Sequence, residues 1–169
     1  VNLYTFSKKF AMTGWRLGAA IGPENIIDVI AKINVNDESC SNHFIQWAAI
    51  EGLEGDQTEA KRIVNVLKDR RDTAVDILNT IPGVSCYRPE ATFYLFPNVT
   101  ELMKAKGIDN YDAFRRQILE DTGVSVCTRL HFGRELTGET DRYIRLAYSG
   151  IDSADITEGL GLLKTWAER

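Results

Sequence analysis

The stretch Thr5–Pro23, TFSKKFAMTGWRLGAAIGP, sets two lysines, Lys8 and Lys9, between a β-prone run and a glycine-punctuated segment that carries Arg16. The run that leads into it, VNLYTF, alternates and favours a strand. Thr13 and Gly14 read as a turn-rich link, and LGAAIG reads as a second short strand whose small side chains permit close packing. The expected product is a strand pair, with Lys8 at the end of its first strand. A lysine placed there, beside small hydroxyl residues and followed by an arginine between glycines, suits an anionic aldehyde. Its ammonium becomes a nucleophilic amine when neighbouring cations or desolvation lower its pKa, and the amine condenses with a carbonyl to a Schiff base. Arginine offers a phosphate a permanently charged fork, and hydroxyls add hydrogen bonds. These residues alone do not choose between Lys8 and Lys9. Neighbours on an extended strand face opposite ways, so only one of them occupies a given site.

Composition narrows the partners. The 169 residues are 44% hydrophobic and 26% charged, which is globular composition over the length of about one domain or of two incomplete ones. A formal charge of -4 gives no electrostatic reason to expect a nucleic acid or an anionic membrane, so any anion site must be local. Cys40, Cys86 and Cys127 are few, odd in number and widely separated. They fit a reducing compartment, with cytoplasm as the default, and no zinc spacing occurs among them. No apolar run approaches the ~20 residues that a membrane helix needs. Because the sequence opens inside a strand-like run without an initiator methionine, a fragment is expected.

Further along, Pro23 fits the first position of a helix running to about Ile33. NDESCSN is a polar break, and HFIQWAAIEGLEG returns to helical spacing that Gly55 ends. Asp56 and Glu59 have the spacing of a capping box and open a long helix in which Ile63, Leu67, Ala74 and Leu78 recur. Pro82 and Gly83 make a turn, VSCY and TFYLF read as strands, and a helix is expected over about Tyr111–Glu120. Strands VSVC and RYIRLAYS and a last helix from about Ser153 complete an α+β order in the second half.

Thr5-Phe6-Ser7-Lys8 followed by Gly14-Trp15-Arg16-Leu17-Gly18 resembles the lysine attachment motif of the class I and II aminotransferases, pyridoxal-phosphate enzymes of fold type I. The resemblance selects Lys8 as the residue that holds the cofactor as a Schiff base, with Thr5 and Arg16 on its phosphate. Arg145 in YIRLAYS resembles the arginine of the same family that grips the substrate's α-carboxylate. SCSNHFIQWAAIEGL resembles a segment near the partner subunit in dimers of the family, which brings Ser39, Ser41 and Asn42 toward a neighbouring site; a plain helix amino-terminus explains them equally well. PEATFYLFPNV resembles the small-lobe segment in which Ala91-Thr92 replace the usual Gly-Ala, and Phe93 and Tyr94 there read as core. The chain departs from many members at Thr128-Arg129-Leu130-His131, where a Pro-Gly pair is usual; Arg129 and His131 are open to a substrate side chain or to an ordinary loop role.

The resemblance covers almost the whole chain but only the later half of a family member. It implies a partial α/β aminotransferase fold: residues 1–72 as the remainder of the large cofactor domain, and residues 73–169 as a small α+β domain. The implied activity is amino transfer between amino acids and 2-oxo acids, in a homodimer. A lyase or synthase of the same fold, or a lobe without activity when isolated, are the alternatives.

Overall fold

Strands β1 (Asn2–Thr5) and β2 (Gly18–Ile21) pair antiparallel, Asn2 opposite Ile21 and Thr5 opposite Gly18, in the computed structural model, which describes residues 1–169. The pairing is the one expected, but the strand stops short of the lysines. Thr5 Oγ1 accepts a hydrogen bond from the Ser7 amide at 3.2 Å, a local side-chain bond that competes with the ladder and turns the chain. Lys8 and Lys9 therefore lie in a turn, where Phe10 N–H bonds to the Phe6 carbonyl and Ala11 N–H to that of Lys8, both at 3.4 Å. Alternation along a strand does not govern which way the two lysines face.

Helix α1 (Glu24–Asp37) starts directly after Pro23, whose carbonyl accepts from Ile26 and Ile27. It outlasts the expected end by one turn, into the polar break. Helix α2 (His43–Glu54) is capped by Asn42, whose side chain accepts from the Phe44 amide, and closes at Gly55. Helix α3 (Thr58–Leu78) is as long as expected but lacks a reciprocal box. Asp56 accepts from the amide and hydroxyl of Thr58, while Glu59 pairs with Arg62 instead of reaching back.

The chain divides within α3 into two compact units, Val1–Ile63 and Val64–Arg169. The first has a small core of Phe6, Met12, Leu17 and Ala49, with Tyr4, Phe10, Ile45 and Ala48 packed around it. Phe10 stacks on Phe6 and lies over Gly52 of α2, where a Cβ would come within 3.4 Å of its ring.

The second unit is built on a three-stranded antiparallel sheet in the order β3 (Tyr94–Leu95), β5 (Ile144–Ala147), β4 (Cys127–Thr128). Tyr94 lies opposite Ala147, and Cys127 opposite Arg145. Helices α5 (Tyr111–Thr122) and α6 (Ser153–Glu168) pack together, capped by Asn110 and Asp152. Phe114, Ile118, Leu160, Leu163 and Trp166 from them join Leu78, Leu95 and Ile144 in one continuous core. VSCY does not become a strand. Asn79 bonds both backbone groups of Cys86, which leaves only a single bridge between Ser85 and Asn98. A short helix α4 (Thr100–Ala105), not expected from the sequence, buries Leu102 and Met103. Gly83 (φ 74) lies against its backbone, where a Cβ would come within 2.5 Å of the Leu102 nitrogen, so this turn requires glycine. No helix is long and apolar enough to cross a membrane.

Candidate active site

Thr5 ends β1, and Lys8 and Arg16 lie on the loop that closes the β1–β2 hairpin. Its apolar residues Phe6, Met12 and Leu17 point into the small core and leave the polar ones outside; Thr5, Lys8 and Arg16 are exposed. Three bonds tie the loop across. Phe6 N–H reaches the Leu17 carbonyl at 3.3 Å, Thr13 Oγ1 donates to the Ser7 carbonyl at 3.1 Å, and Arg16 Nη1 donates to the Thr13 carbonyl at 3.0 Å. Thr13 thus links the peptide before Lys8 to the guanidinium of Arg16. Arg16 itself is left-handed (φ 55, ψ 51), the end of a 3-10 turn over Thr13–Trp15. That conformation costs a non-glycine residue about 1–2 kcal/mol, which the bonds across the loop offset.

Charge in this region runs against the rest of the chain. Residues 1–23 contain Lys8, Lys9 and Arg16 and no acidic residue, although the whole chain carries -4. The hydroxyls of Thr5 and Ser7 lie 3.1 Å apart, and Arg16 has no carboxylate partner. Two hydroxyls and an un-neutralised guanidinium are the donor set that a phosphoester takes, so these residues fit pyridoxal phosphate. Lys9 has a separate role, its ammonium 4.9 Å from the Phe10 ring centre.

In the second unit, Arg145 stands on the central strand β5, partly exposed. Its Cζ lies 4.3 Å from the Tyr94 ring centre and 4.4 Å from that of Phe132, with Cys127 Sγ 3.9 Å from Nη2. No carboxylate of the chain pairs with it. Sequence reasoning assigned Tyr94 to the core and gave Phe132 no role. The strand register that brings Tyr94 beside Arg145 joins positions some fifty residues apart and leaves no local trace; the alternation of TFYLF was the only signal available.

The two residues left open by the sequence are engaged in structure. Arg129 pairs with Glu139 at 3.1 Å and donates to the carbonyls of Gly133 and Arg134. His131 Nδ1 accepts from the Thr128 amide at 3.1 Å and caps the 3-10 turn Arg129–Phe132. Both hold the loop that carries Phe132. Asn42 caps α2, and the Ser41 carbonyl accepts from Gln46 at 2.8 Å, so in this chain they serve a helix amino-terminus.

Comparison with known proteins gives these arrangements a family. The family described as aminotransferase class I and II matches residues 1–163. An asparagine–oxo-acid transaminase of Streptococcus mutans is 33% identical over 163 residues, 96% of this chain and 40% of the relative. An aspartate aminotransferase of Musicola paradisiaca is 36% identical over 150 residues, 89% of this chain and 36% of the relative. Among solved structures, the aspartate aminotransferase of Rhizobium meliloti superposes with a TM-score of 0.84 at 30% identity, over 99% of this chain and 41% of the other. The chain thus spans about 40% of the length of the relatives it matches. The match over residues 1–163 places the chain in the class I and II aminotransferases.

Proposed function

We propose that this chain forms the carboxyl-terminal part of a pyridoxal-phosphate-dependent aminotransferase, which moves an amino group from an amino acid to a 2-oxo acid and works as a cytoplasmic homodimer. In this reading residues 1–72 belong to the cofactor domain and residues 73–169 form the small domain. The observation that carries the proposal is the hairpin loop: hydroxyls and a guanidinium tied through Thr13 to the peptide before Lys8, in a segment without a single carboxylate.

Pyridoxal phosphate, when bound, supplies a carbonyl for amines and a ring that accepts electrons from the substrate's α-carbon. Lys8 provides the amine that holds it covalently. With the cofactor bound, Lys8 Nζ, as a free amine, would act as general base toward the proton on the substrate α-carbon and, once protonated, as general acid. Thr5 and Arg16 would hold the cofactor's phosphate with charge-assisted hydrogen bonds. Arg145 takes the α-carboxylate in its planar fork.

The test uses the complete enzyme. Lys8→Ala is expected to lose the visible absorption band of the bound cofactor and to slow turnover by about 10²–10⁴ or more. A variant that keeps the band and turns over normally removes the assignment.

A further inference from the structure

The surroundings of Arg145 carry an inference beyond its identity as a carboxylate ligand, and it rests on that reading. Two aromatic rings meet the guanidinium at nearly equal distances, 4.3 Å for Tyr94 and 4.4 Å for Phe132. They arrive from different sides of β5. Tyr94 lies on β3 opposite Ala147, two residues from Arg145 and so on the same face of the sheet. Phe132 lies beyond β4, at the end of the 3-10 turn that His131 and Arg129 brace. Phe132 also meets Phe96 edge-on, and Phe96 stacks on Tyr143 at 5.3 Å, which fixes where its ring can go.

Both rings lie within cation–π distance of the guanidinium, and neither can accept its N–H groups as a carboxylate would, so its five N–H donors remain available to a ligand. Arginine otherwise carries about 2 kcal/mol of rotamer entropy, which ring stacking restricts before any ligand arrives. The sulfur of Cys127, a weak acceptor, is the only hydrogen-bonding partner of this guanidinium in the chain. It does not compete with a carboxylate as an aspartate or glutamate would.

We propose that Tyr94 and Phe132 are positioning residues: two rings that restrict Arg145 and keep it un-neutralised for the substrate's carboxylate. They act on binding and leave the proton transfers at the α-carbon to Lys8.

The experiment compares wild type, Phe132→Leu, Tyr94→Leu, Phe132→Tyr and Arg145→Gln in the complete enzyme. It measures the dissociation constant of propanoate, an unreactive carboxylate without a ring, by NMR titration, and KM and kcat for an amino acid substrate. The two leucine variants are expected to weaken propanoate and raise KM by about twofold to thirtyfold, the range from an exposed to a desolvated cation–π contact, with kcat almost unchanged. Phe132→Tyr keeps a ring and is expected to bind like wild type. Phe132 is 47% exposed, so leucine there leaves the core intact. Wild-type binding in both leucine variants, or a loss confined to kcat, overturns the proposal. Arg145→Gln separates the two claims: if it binds propanoate as wild type does, the carboxylate role of Arg145 fails, whereas if only the leucine variants are unaffected, that role stands and the role of the rings alone is lost.

Discussion

Residues 1–63 and residues 64–169 present their candidate cations on unlike supports. The first unit holds Arg16 on a loop over four buried side chains, and its helix α1 buries no residue at all. Ile26, Val29 and Ile33, a spacing that marks a core-facing stripe, stay exposed there. The second unit sets Arg145 on the middle strand of a sheet backed by a core of nineteen buried residues. In one, hydrogen bonds among short polar groups fix the geometry; in the other, packing does. Order at a binding site therefore has two sources in this chain, and they should respond differently to mutation.

The largest effects separate the two cores. Phe114→Ala removes a fully buried ring from the second unit and is expected to cost about 3–5 kcal/mol. Met12→Ala in the small cluster, where neighbours can collapse into the gap, is expected near the low end for such changes, about 2 kcal/mol. Denaturant unfolding of each variant measures both, and equal losses would break the contrast.

Hydrogen bonds sharpen it at a lower level. The Tyr111 hydroxyl accepts from the Tyr143 amide at 2.8 Å, next to β5, and Tyr111 is buried. Tyr111→Phe leaves that amide without a partner and should cost about 1–3 kcal/mol. Thr13→Val breaks the tie from Thr13 to the Ser7 carbonyl, but Thr13 is exposed, so water replaces it and the loss should be about 0.5–1 kcal/mol. The diagnostic readout for Thr13→Val is weaker cofactor affinity at nearly unchanged stability; an unaltered affinity would mean that the loop does not need this tie.

How much of this was legible in the sequence follows the same division. Helices α1, α2, α3, α5 and α6 were visible, α1 from Pro23 at its start and α2 and α3 from apolar repeats and polar breaks. The β1–β2 pair was visible because its strands alternate and a turn lies between them. Helix α4 was not, since six residues give too few repeats for a period, and its place depends on Gly83 packing under Leu102. The lysine turn was misread as strand because one hydroxyl, that of Thr5, captures the Ser7 amide and outweighs the β-propensity of its neighbours. The motif marked Lys8, Arg16 and Arg145, while the rings around Arg145 depend on a register between distant strands that no local pattern encodes.

The remaining predictions concern the thiols. Burial pushes Cys86 up to about 11 from 9.0, whereas Cys40 in the first unit is exposed. A thiol reagent at pH 8 is expected to label Cys40 and to leave Cys86 unlabelled until the chain unfolds. The raised value also gives a sign. The folded state favours the neutral thiol, so this stabilisation is complete below pH 9 and is lost as pH rises through about 11. Denaturation midpoints across that window should fall, and Cys86→Ala should remove that part of the fall.

The most direct test of the account is where the aldehyde attaches. The complete enzyme, loaded with pyridoxal phosphate, is reduced with borohydride so that the Schiff base becomes a permanent bond, then digested and sequenced by tandem mass spectrometry. The account predicts the pyridoxyl group on Lys8 and none on Lys9; an adduct on Lys9, or on neither lysine, contradicts it.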